Sequence, residues 1–306
     1  MVAYAKHPSA NGDLIGFLGA VAALEARREE YEVATRIFQQ LVDNGVESQA
    51  LYELAIPSAF NANDFDVTEK YLALEKEKKL HFGAVVSPEY REKLGYYKKA
   101  WEREQQLRAA ELEANDLPRV KLRTNKGEIE LELFENEAPN TVANFIALVE
   151  SGFYSDLTFF RVVARELAEA GCPVGDGTGG PNHQIISECR VPNRRTHFRG
   201  SVTMMTSDSF TNGSVFGICL IPAGEIDGRH TVFGRVIRGM DVLSKLQRRA
   251  PRDEMSQAIN PNANVVIPPA DRIIAATVVR KRTHPYQPKV IIGTPPTTKA
   301  TEPALE

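Results

Sequence analysis

Hydrophobic side chains in the first third of the chain recur at helical spacing. The stretch 31–38 matches the stretch 65–72 at a period of 34 residues. In each stretch an aromatic side chain is followed by a small one and then by a large apolar one: Tyr31, Ala34 and Phe38, then Phe65, Thr68 and Leu72. Between them, 50–62 carries an apolar face of Tyr52, Ala55, Ile56 and Ala59. The pattern predicts paired helices, with Pro57 counting against a regular helix at that point.

A period of 34 residues with two helices per unit resembles the tetratricopeptide repeat. Residues 13–82 are similar to two degenerate units, because the usual tryptophan, glycine and closing proline are largely absent. Two units are fewer than the three that such arrays usually need for stability. The resemblance implies a surface on which a protein partner docks.

A long helix is predicted directly after this region. Ser87 is a candidate N-cap and Pro88 suits the first helical position. Leu94, Tyr97 and Trp101 share one face, so we expect them to cap the helical repeats. The charged second half, 102–115, is predicted to be a solvated connector.

After Pro118 the pattern alternates with a period of two. The stretches 120–124 and 127–133 are separated by Asn125 and Lys126, which predicts a β-hairpin. A helix is predicted from about residue 139 to Leu148. Later segments predict three strands within 198–205, 213–220 and 231–236, a helix over 240–247 and a closing strand over 273–280.

Four unusual runs follow one another in this alternating part of the chain. They are Thr158 to Val163, Gly175 to Pro181, Thr211 to Phe216 and Asp227 to Val236. Together they resemble the cyclophilin family of peptidyl-prolyl isomerases over residues 118–281. Ordered motifs within one domain length are specific, whereas any one of them alone is weak. The resemblance implies a closed eight-stranded antiparallel β-barrel with flanking helices, and so a multidomain α + β chain with an N-terminal α-helical repeat region.

The family resemblance assigns candidate site residues. Arg161 occupies the catalytic position, and His230 helps to line the proline slot. Further substrate-binding positions are implied at Leu167, Ile226, Phe216, Glu169 and Thr206. Phe216 has a second interpretation, because alternate strand residues face opposite sides and it could point into the barrel core.

Rotation about a peptide bond meets a barrier of about 18–20 kcal/mol because amide resonance must be broken. A catalyst therefore needs an apolar slot for the proline ring and a donor that favours the twisted amide over the planar one. Arginine suits the second role, since it stays charged and offers five donors in a rigid fork. Neither requirement involves a metal or a cofactor, and we predict none.

Several site positions depart from the family pattern. Glu166, Leu167 and Glu169 stand where the family has phenylalanine, methionine and glutamine. In the next strand Val215 replaces a glutamine and Gly217 replaces an aromatic residue, and Glu225 stands where tryptophan is frequent. We expect weakened substrate binding, because the full burial of one aromatic ring contributes about 1.5–3 kcal/mol.

Composition narrows the functional classes. The chain has 306 residues, 42% of them hydrophobic, and a net charge of -3. Residues 1–118 carry 14 basic and 20 acidic side chains, which disfavours a clamp for an acidic chaperone tail. Neither half has the basic balance of a nucleic-acid-binding protein, and the pairs at 194–195 and 248–249 are interpreted as solvated surface. The cysteines and histidines show no disulfide or zinc spacing.

The sequence thus predicts helical repeats at 1–82, a connector helix at 83–117, a cyclophilin-like barrel at 118–283 and a disordered tail at 284–306. Two functions remain open. The first is a peptidyl-prolyl cis-trans isomerase (rotamase) acting on proline-containing polypeptides, weakened by its pocket substitutions. The second is a catalytically impaired cyclophilin-like scaffold. No apolar run reaches the length of about 18 residues needed for a membrane span. The compartment is open between the cytoplasm and, if the true N-terminus has been removed, export.

Overall fold

A computed structural model describes residues 12–83, 86, 88–249 and 269–291. It begins with four helices: α1 (Gly12–Arg27), α2 (Tyr31–Asp43), α3 (Gln49–Asn61) and α4 (Phe65–Glu77). The apolar face predicted on α3 is buried, and the helix continues through Pro57. The predicted helices are therefore confirmed, while their assignment as tetratricopeptide repeats stays a prediction.

The long helix α5 (Pro88–Ala114) completes the helical core. Tyr90, Leu94 and Tyr97 are buried there, and the Tyr97 ring stacks on Phe65 with centroids 5.3 Å apart. The predicted N-cap at Ser87 lies outside the described residues.

Most of the predicted solvated connector at 102–115 is exposed, but one side of it contacts the barrel. Glu104 is buried and accepts a hydrogen bond of 2.9 Å from Arg195, which is also buried. Glu111 accepts hydrogen bonds from both Arg195 and Arg235. Arg195 was predicted to lie at the surface, and it is buried because these carboxylates from α5, with Glu137, surround its guanidinium.

The remaining chain forms a curled antiparallel sheet with helices against it. Its first strands are β1 (Arg119–Thr124), β2 (Gly127–Leu133), β3 (Arg161–Val162), β4 (Leu167–Ala170) and β5 (Gln184–Ile186). Its last strands are β6 (Ser201–Thr206), β7 (Thr211–Cys219), β8 (Thr231–Arg238), β9 (Ile273–Arg280) and β10 (Val290–Ile291). The helices are α6 (Pro139–Glu150) and α7 (Met240–Ser244), with a 3-10 turn at Gly224–Ile226.

The sheet differs from the closed eight-stranded barrel that was predicted. Among the described residues it has ten strands, paired in the order β10-β5-β7-β6-β8-β2-β1-β9, with β4 pairing both β7 and β3. The ends of this path do not pair with each other, so the barrel is open. The short strands near the opening are linked to the rest by isolated bridges, from Thr158 to Arg272 and from Val162 to Arg249.

The start of the predicted disordered tail is ordered. Val290 pairs with Ile185, which places β10 at the edge of the sheet. Tyr286 is buried and donates a hydrogen bond of 2.6 Å to Glu135. These contacts fix the chain beyond the predicted boundary at 284, and residues 292–306 lie outside the described part.

The barrel core and the helical core meet at the loop before β6. Phe198 is buried among the helices, with its ring 4.7 Å from that of Trp101. Asn63, after α3, accepts from the backbone N–H of Arg199 at 3.0 Å and donates to its carbonyl at 3.2 Å. Arg199 also donates to the Glu32 carboxylate. The two parts of the chain are therefore joined by buried apolar and polar contacts.

Candidate active site

Four strands place one row of residues side by side on the outer face of the sheet. Arg161 on β3 lies opposite Glu169 on β4, Glu169 lies opposite Gly217 on β7, and Gly217 lies opposite Thr203 on β6. Directly opposed residues point to the same face, and their sequence neighbours point to the other. Those neighbours include Val162, Ala168, Phe216 and Met204, all members of the barrel core. We call Arg161, Glu169, Gly217 and Thr203 the site row.

Arg161 is held by two carboxylates. Its Nη1 lies 2.6 Å from Glu169 Oε1, and its Nη2 lies 2.8 Å from Glu166 Oε1. Burial alone would lower the pKa of Arg161, but the two neighbouring carboxylates outweigh it and leave the pKa raised. The guanidinium is therefore always charged, with both terminal nitrogens engaged.

The two carboxylates differ in their surroundings. Glu169 is 8% exposed, whereas the Glu166 side chain is 48% exposed. Burial raises the pKa of Glu169 by more than the positive charge of Arg161 lowers it. Of these two carboxylates, Glu169 is the one whose charged form is disfavoured by burial.

An apolar wall adjoins the site row. Leu167, Cys219 and Ala223 form a small buried cluster, and Ile226 packs against it. A Cβ at Gly217 would lie 3.5–3.6 Å from Thr203 Cγ2, Glu169 Cγ and Leu167 Cδ2. A side chain at this position would therefore contact both the apolar wall and the carboxylate that pairs with Arg161.

His230 and Thr206 are also brought together. The backbone N–H of Thr206 donates to His230 Nδ1 at 3.0 Å. Burial, together with the charges of His197 and Arg229, lowers the pKa of His230 to about 4. His230 is therefore neutral near pH 7, and a proton on its ring belongs on Nε2 because Nδ1 accepts.

Phe216 does not line the slot, so its interpretation as a substrate-binding residue is wrong. Its ring is fully buried in the barrel core, 5.5 Å from the Phe145 centroid and 5.6 Å from that of Tyr154. The strand alternation explains the difference, because it turns Gly217 to the outer face and Phe216 inward.

A buried histidine that the sequence did not single out supports the site row. His197 Nε2 lies 3.0 Å from Thr203 Oγ1, and its Nδ1 lies 2.5 Å from Asp227 Oδ1. Asp227 begins the loop that leads to His230, so this chain of contacts fixes that loop against β6. Nothing in the spacing of His197 along the chain signals the role.

The helical region holds the turn between β3 and β4. Arg165 occupies this turn with φ of 60°, a left-handed conformation that is rare outside glycine. Its backbone N–H donates to Glu29 Oε1 at 2.8 Å, and its guanidinium donates to the Tyr90 hydroxyl at 3.2 Å. Glu166, which bonds Arg161, follows directly in the chain.

The loop on the other side of the apolar wall is held by α5. The backbone N–H of Gly224 donates to the Tyr97 hydroxyl at 2.6 Å, and the Tyr96 hydroxyl donates to Asp227. Lys93 Nζ lies 3.6 Å from Glu225 Oε2. Both loops that border the site are therefore fixed by residues outside the barrel.

Comparisons with known proteins identify the family of the barrel. A family model described as cyclophilin type peptidyl-prolyl cis-trans isomerase/CLD matches residues 119–271. A peptidyl-prolyl cis-trans isomerase of Helicobacter pylori is 45% identical over 130 residues, covering 42% of this chain and 78% of the relative. Peptidyl-prolyl cis-trans isomerase B of Bacillus subtilis is 44% identical over 118 residues, covering 39% and 82%. This chain belongs to the cyclophilin-type peptidyl-prolyl cis-trans isomerase family.

Among solved structures, a cyclophilin-type isomerase of Cryptosporidium parvum is 24% identical and covers 54% of this chain and 99% of its own, with a TM-score of 0.43.

Other kinds of site find little support in the described part of the chain. No group of histidine, cysteine, aspartate and glutamate there is arranged to hold a metal ion. Cys172, Cys189 and Cys219 are buried and unpaired with one another. No helix in the same residues is long and apolar enough to cross a bilayer.

Proposed function

We propose that this chain catalyses the cis-trans isomerisation of X-Pro bonds in protein chains at the site row, with Arg161 as the donor. The observation that carries the assignment is the position of Arg161. It is a permanently charged guanidinium on the outer face of the sheet, beside Glu169 and across the row from Gly217. Membership of the isomerase family supports the same reaction.

The proposed mechanism needs no covalent step. As the prolyl amide twists, its nitrogen becomes pyramidal and gains a lone pair that it lacks in the planar state. A guanidinium N–H that bonds this nitrogen stabilises the twisted state more than the planar one, and so lowers the barrier. Leu167 and Ile226 form the apolar side on which we place the proline ring.

His230 contributes as a neutral wall residue in this proposal. Its Nδ1 is occupied by the N–H of Thr206, so the ring is fixed in orientation and its Nε2 edge is left for substrate. Thr206 therefore acts by orienting His230 through its backbone, and its side-chain hydroxyl is engaged by Asn212.

Weak activity is part of the proposal. Substrate has to compete with Glu166 and Glu169 for the guanidinium of Arg161. Gly217 presents no ring to the proline, which removes contact area that would contribute about 1.5–3 kcal/mol if fully buried. Both effects lower kcat/KM relative to a slot with glutamine and an aromatic residue at these positions.

We propose two roles for the helical region. We retain 13–82 as degenerate tetratricopeptide-like units that contact a protein partner. Its contacts to the turn at Arg165 and to Gly224 support a second role, which is to fix the two loops that border the slot.

The test is exchange NMR on a panel of X-Pro peptides with the wild-type chain, Arg161→Ala and Arg123→Ala. Arg123 is an exposed arginine on β1 and serves as the control. We expect wild type and Arg123→Ala to accelerate exchange, and Arg161→Ala to lose about 100-fold of that acceleration, as for removal of one preorganised donor. Peptide binding without acceleration in any protein would instead favour a scaffold.

A further inference from the structure

A groove runs between the helical region and the turn at Arg165. It has a volume of about 380 Å³ and lies among α1, α3 and residues 164–165. Apolar side chains line part of it: Ala23, Ala26, Leu54 and Pro57. Leu54 is 39% exposed, although it is a large aliphatic residue. We call this cavity the Arg165 groove.

The exposed charges of the Arg165 groove are two arginines. Arg27 and Arg165 both line it, and within the described residues neither guanidinium pairs with a carboxylate. The carboxylate in the groove, Glu29, is buried and already engaged: one oxygen accepts from the N–H of Arg165, and the other lies 2.9 Å from Arg248 Nη2. The helical region is acidic as a whole, but this groove presents positive charge.

The lack of carboxylate partners distinguishes these two arginines from others nearby. Arg161, Arg195, Arg199 and Arg248 each have at least one carboxylate within ion-pair distance. An arginine fork pairs well with a carboxylate, and two such forks beside an apolar floor form a complementary surface for an acidic side chain with apolar neighbours.

The Arg165 groove continues toward the site row. A second cavity of about 230 Å³ shares Asn61 and Arg165 with it and is also lined by Pro222 and Glu225. Glu225 precedes Ile226 of the apolar wall, and Arg165 precedes Glu166, the partner of Arg161. Because residues adjacent in sequence to Ile226 and Glu166 line the second cavity, we place it and the groove on the path of a client that leaves the slot in an extended conformation.

We propose that the Arg165 groove binds a segment of the client chain that carries an aspartate or glutamate with apolar neighbours, a few residues from the isomerised proline. The inference rests on the proposed function, because it makes the groove an extension of the substrate site. It assigns Arg27 and Arg165 as specificity-determining residues for the client sequence.

The test uses matched fluorescent peptides of about twelve residues with one Ala-Pro bond. A glutamate flanked by leucines is placed three to six residues from the proline, on either side, and is replaced in sister peptides by glutamine or lysine. Fluorescence anisotropy measures binding to the full chain, and exchange NMR measures the isomerisation rate of the same peptides. In at least one register we expect the glutamate peptide to bind about three- to tenfold more tightly than its glutamine sister.

Two variants locate the effect. Arg27→Gln removes one groove arginine, and Arg28→Gln removes the neighbouring exposed arginine, which pairs with Glu25 and does not line the groove. We expect Arg27→Gln to abolish most of the glutamate preference and Arg28→Gln to preserve it. In 0.5 M NaCl the preference should shrink in wild type, since exposed charges are screened over about a Debye length.

Equal affinity for the glutamate, glutamine and lysine peptides in every register would overturn the proposal. So would equal loss of preference in Arg27→Gln and Arg28→Gln, or sedimentation showing that the groove instead pairs two copies of this chain. Failure of the isomerase function is separate, since it leaves every peptide unaccelerated while the anisotropy measurement still reports the binding preference.

Discussion

Arg161 and Glu169 lie opposite each other on neighbouring strands, and their side chains are joined by a contact of 2.6 Å. Glu169 is more buried than Arg161, with side chains that are 10% and 19% exposed. Arg161, the donor that the proposed reaction requires, is therefore charged but already bonded to Glu169. Glu169 lies two positions after Leu167 of the apolar wall.

Replacing the buried carboxylate should therefore increase activity. In Glu169→Gln the side chain keeps its shape and its hydrogen-bonding carbonyl but loses its charge, so Arg161 is released more readily to substrate. We expect kcat/KM to rise about fivefold, which corresponds to roughly 1 kcal/mol for a weakened ion pair.

Glu166→Gln is the matched control for this substitution. Glu166 bonds the other terminal nitrogen of Arg161, but its side chain is about half exposed and is screened by water. We expect a change of less than about twofold. A larger gain from Glu166→Gln than from Glu169→Gln would contradict the assignment of Glu169 as the principal competitor.

The raised pKa of Glu169 predicts that kcat/KM depends on pH. Burial raises the pKa of Glu169 above its ordinary value, so protonation begins above the range of an exposed glutamate and neutralises the competitor of Arg161 as the pH falls. His230, with a pKa of about 4, stays neutral over the range from pH 7 to pH 5. We expect kcat/KM of wild type to rise as pH falls toward the raised pKa of Glu169.

Falling pH should also stabilise the fold through Glu169. A carboxyl whose folded pKa is raised contributes stability that is present below its unfolded pKa and is lost as pH rises through the folded pKa. In Glu169→Gln both the activity and this component of stability should be independent of pH between 5 and 7. Parallel pH profiles for wild type and Glu169→Gln, measured by exchange NMR and urea unfolding, would refute the explanation.

An aromatic side chain at Gly217 should strengthen substrate binding. A Cβ there meets only ordinary van der Waals contacts, and the atoms that it meets belong to the side chains of Thr203, Glu169 and Leu167. In Gly217→Phe the ring restores an apolar wall for proline, and we expect KM to fall about tenfold, as partial burial of one aromatic ring implies. Steady-state kinetics on one X-Pro peptide measures the change.

Gly171→Ala provides a contrasting glycine control. Gly171 has φ of 92°, and a Cβ there would lie 2.3 Å from the carbonyl oxygen of Ser214. We expect this variant to be destabilised, whereas Gly217→Ala should keep wild-type stability. Equal melting temperatures for Gly171→Ala and Gly217→Ala would contradict the expectation that only Gly171 lacks space for a Cβ.

Contacts between the two parts of the chain should contribute to the stability of the barrel. Asn63→Ala leaves both the buried N–H and the carbonyl of Arg199 without their partner, which costs about 1–3 kcal/mol in the free energy of unfolding. Urea unfolding followed by tryptophan fluorescence measures the cost. Asn44→Ala is the control, because the Asn44 side chain donates to the Gln40 carbonyl within the helical region.

Hydrogen exchange gives a second measurement on the same variant. The amide of Arg199 should lose protection in Asn63→Ala and keep it in Asn44→Ala. Unchanged protection at Arg199 would mean that the helices and the barrel do not depend on this contact.

The sequence was informative wherever a local pattern decides the structure. Alternation predicted β1, β2 and β9 closely, and helical spacing predicted the buried face of α3. The ordered motifs also placed Arg161 on a strand, as the structure has it on β3, because a strand position relative to fixed neighbours is a local property.

Long-range contacts could not be predicted in the same way. Arg195 looks like a surface residue in sequence because the carboxylate that buries it, Glu104, is 91 positions away. Glu29 and Tyr97 reach the two loops of the site from helices that share no motif with the barrel. The sequence also gave no sign of the strand at Val290, because this edge strand forms only by pairing with Ile185 in the folded sheet.

A double-mutant cycle tests whether Arg161 is the donor and Glu169 restrains it. Exchange NMR on one Ala-Pro peptide compares wild type, Arg161→Ala, Glu169→Gln and the double variant. We predict that the fivefold gain of Glu169→Gln disappears when Arg161 is absent, leaving both Arg161→Ala proteins near the uncatalysed rate. An equal gain from Glu169→Gln with and without Arg161 would contradict it.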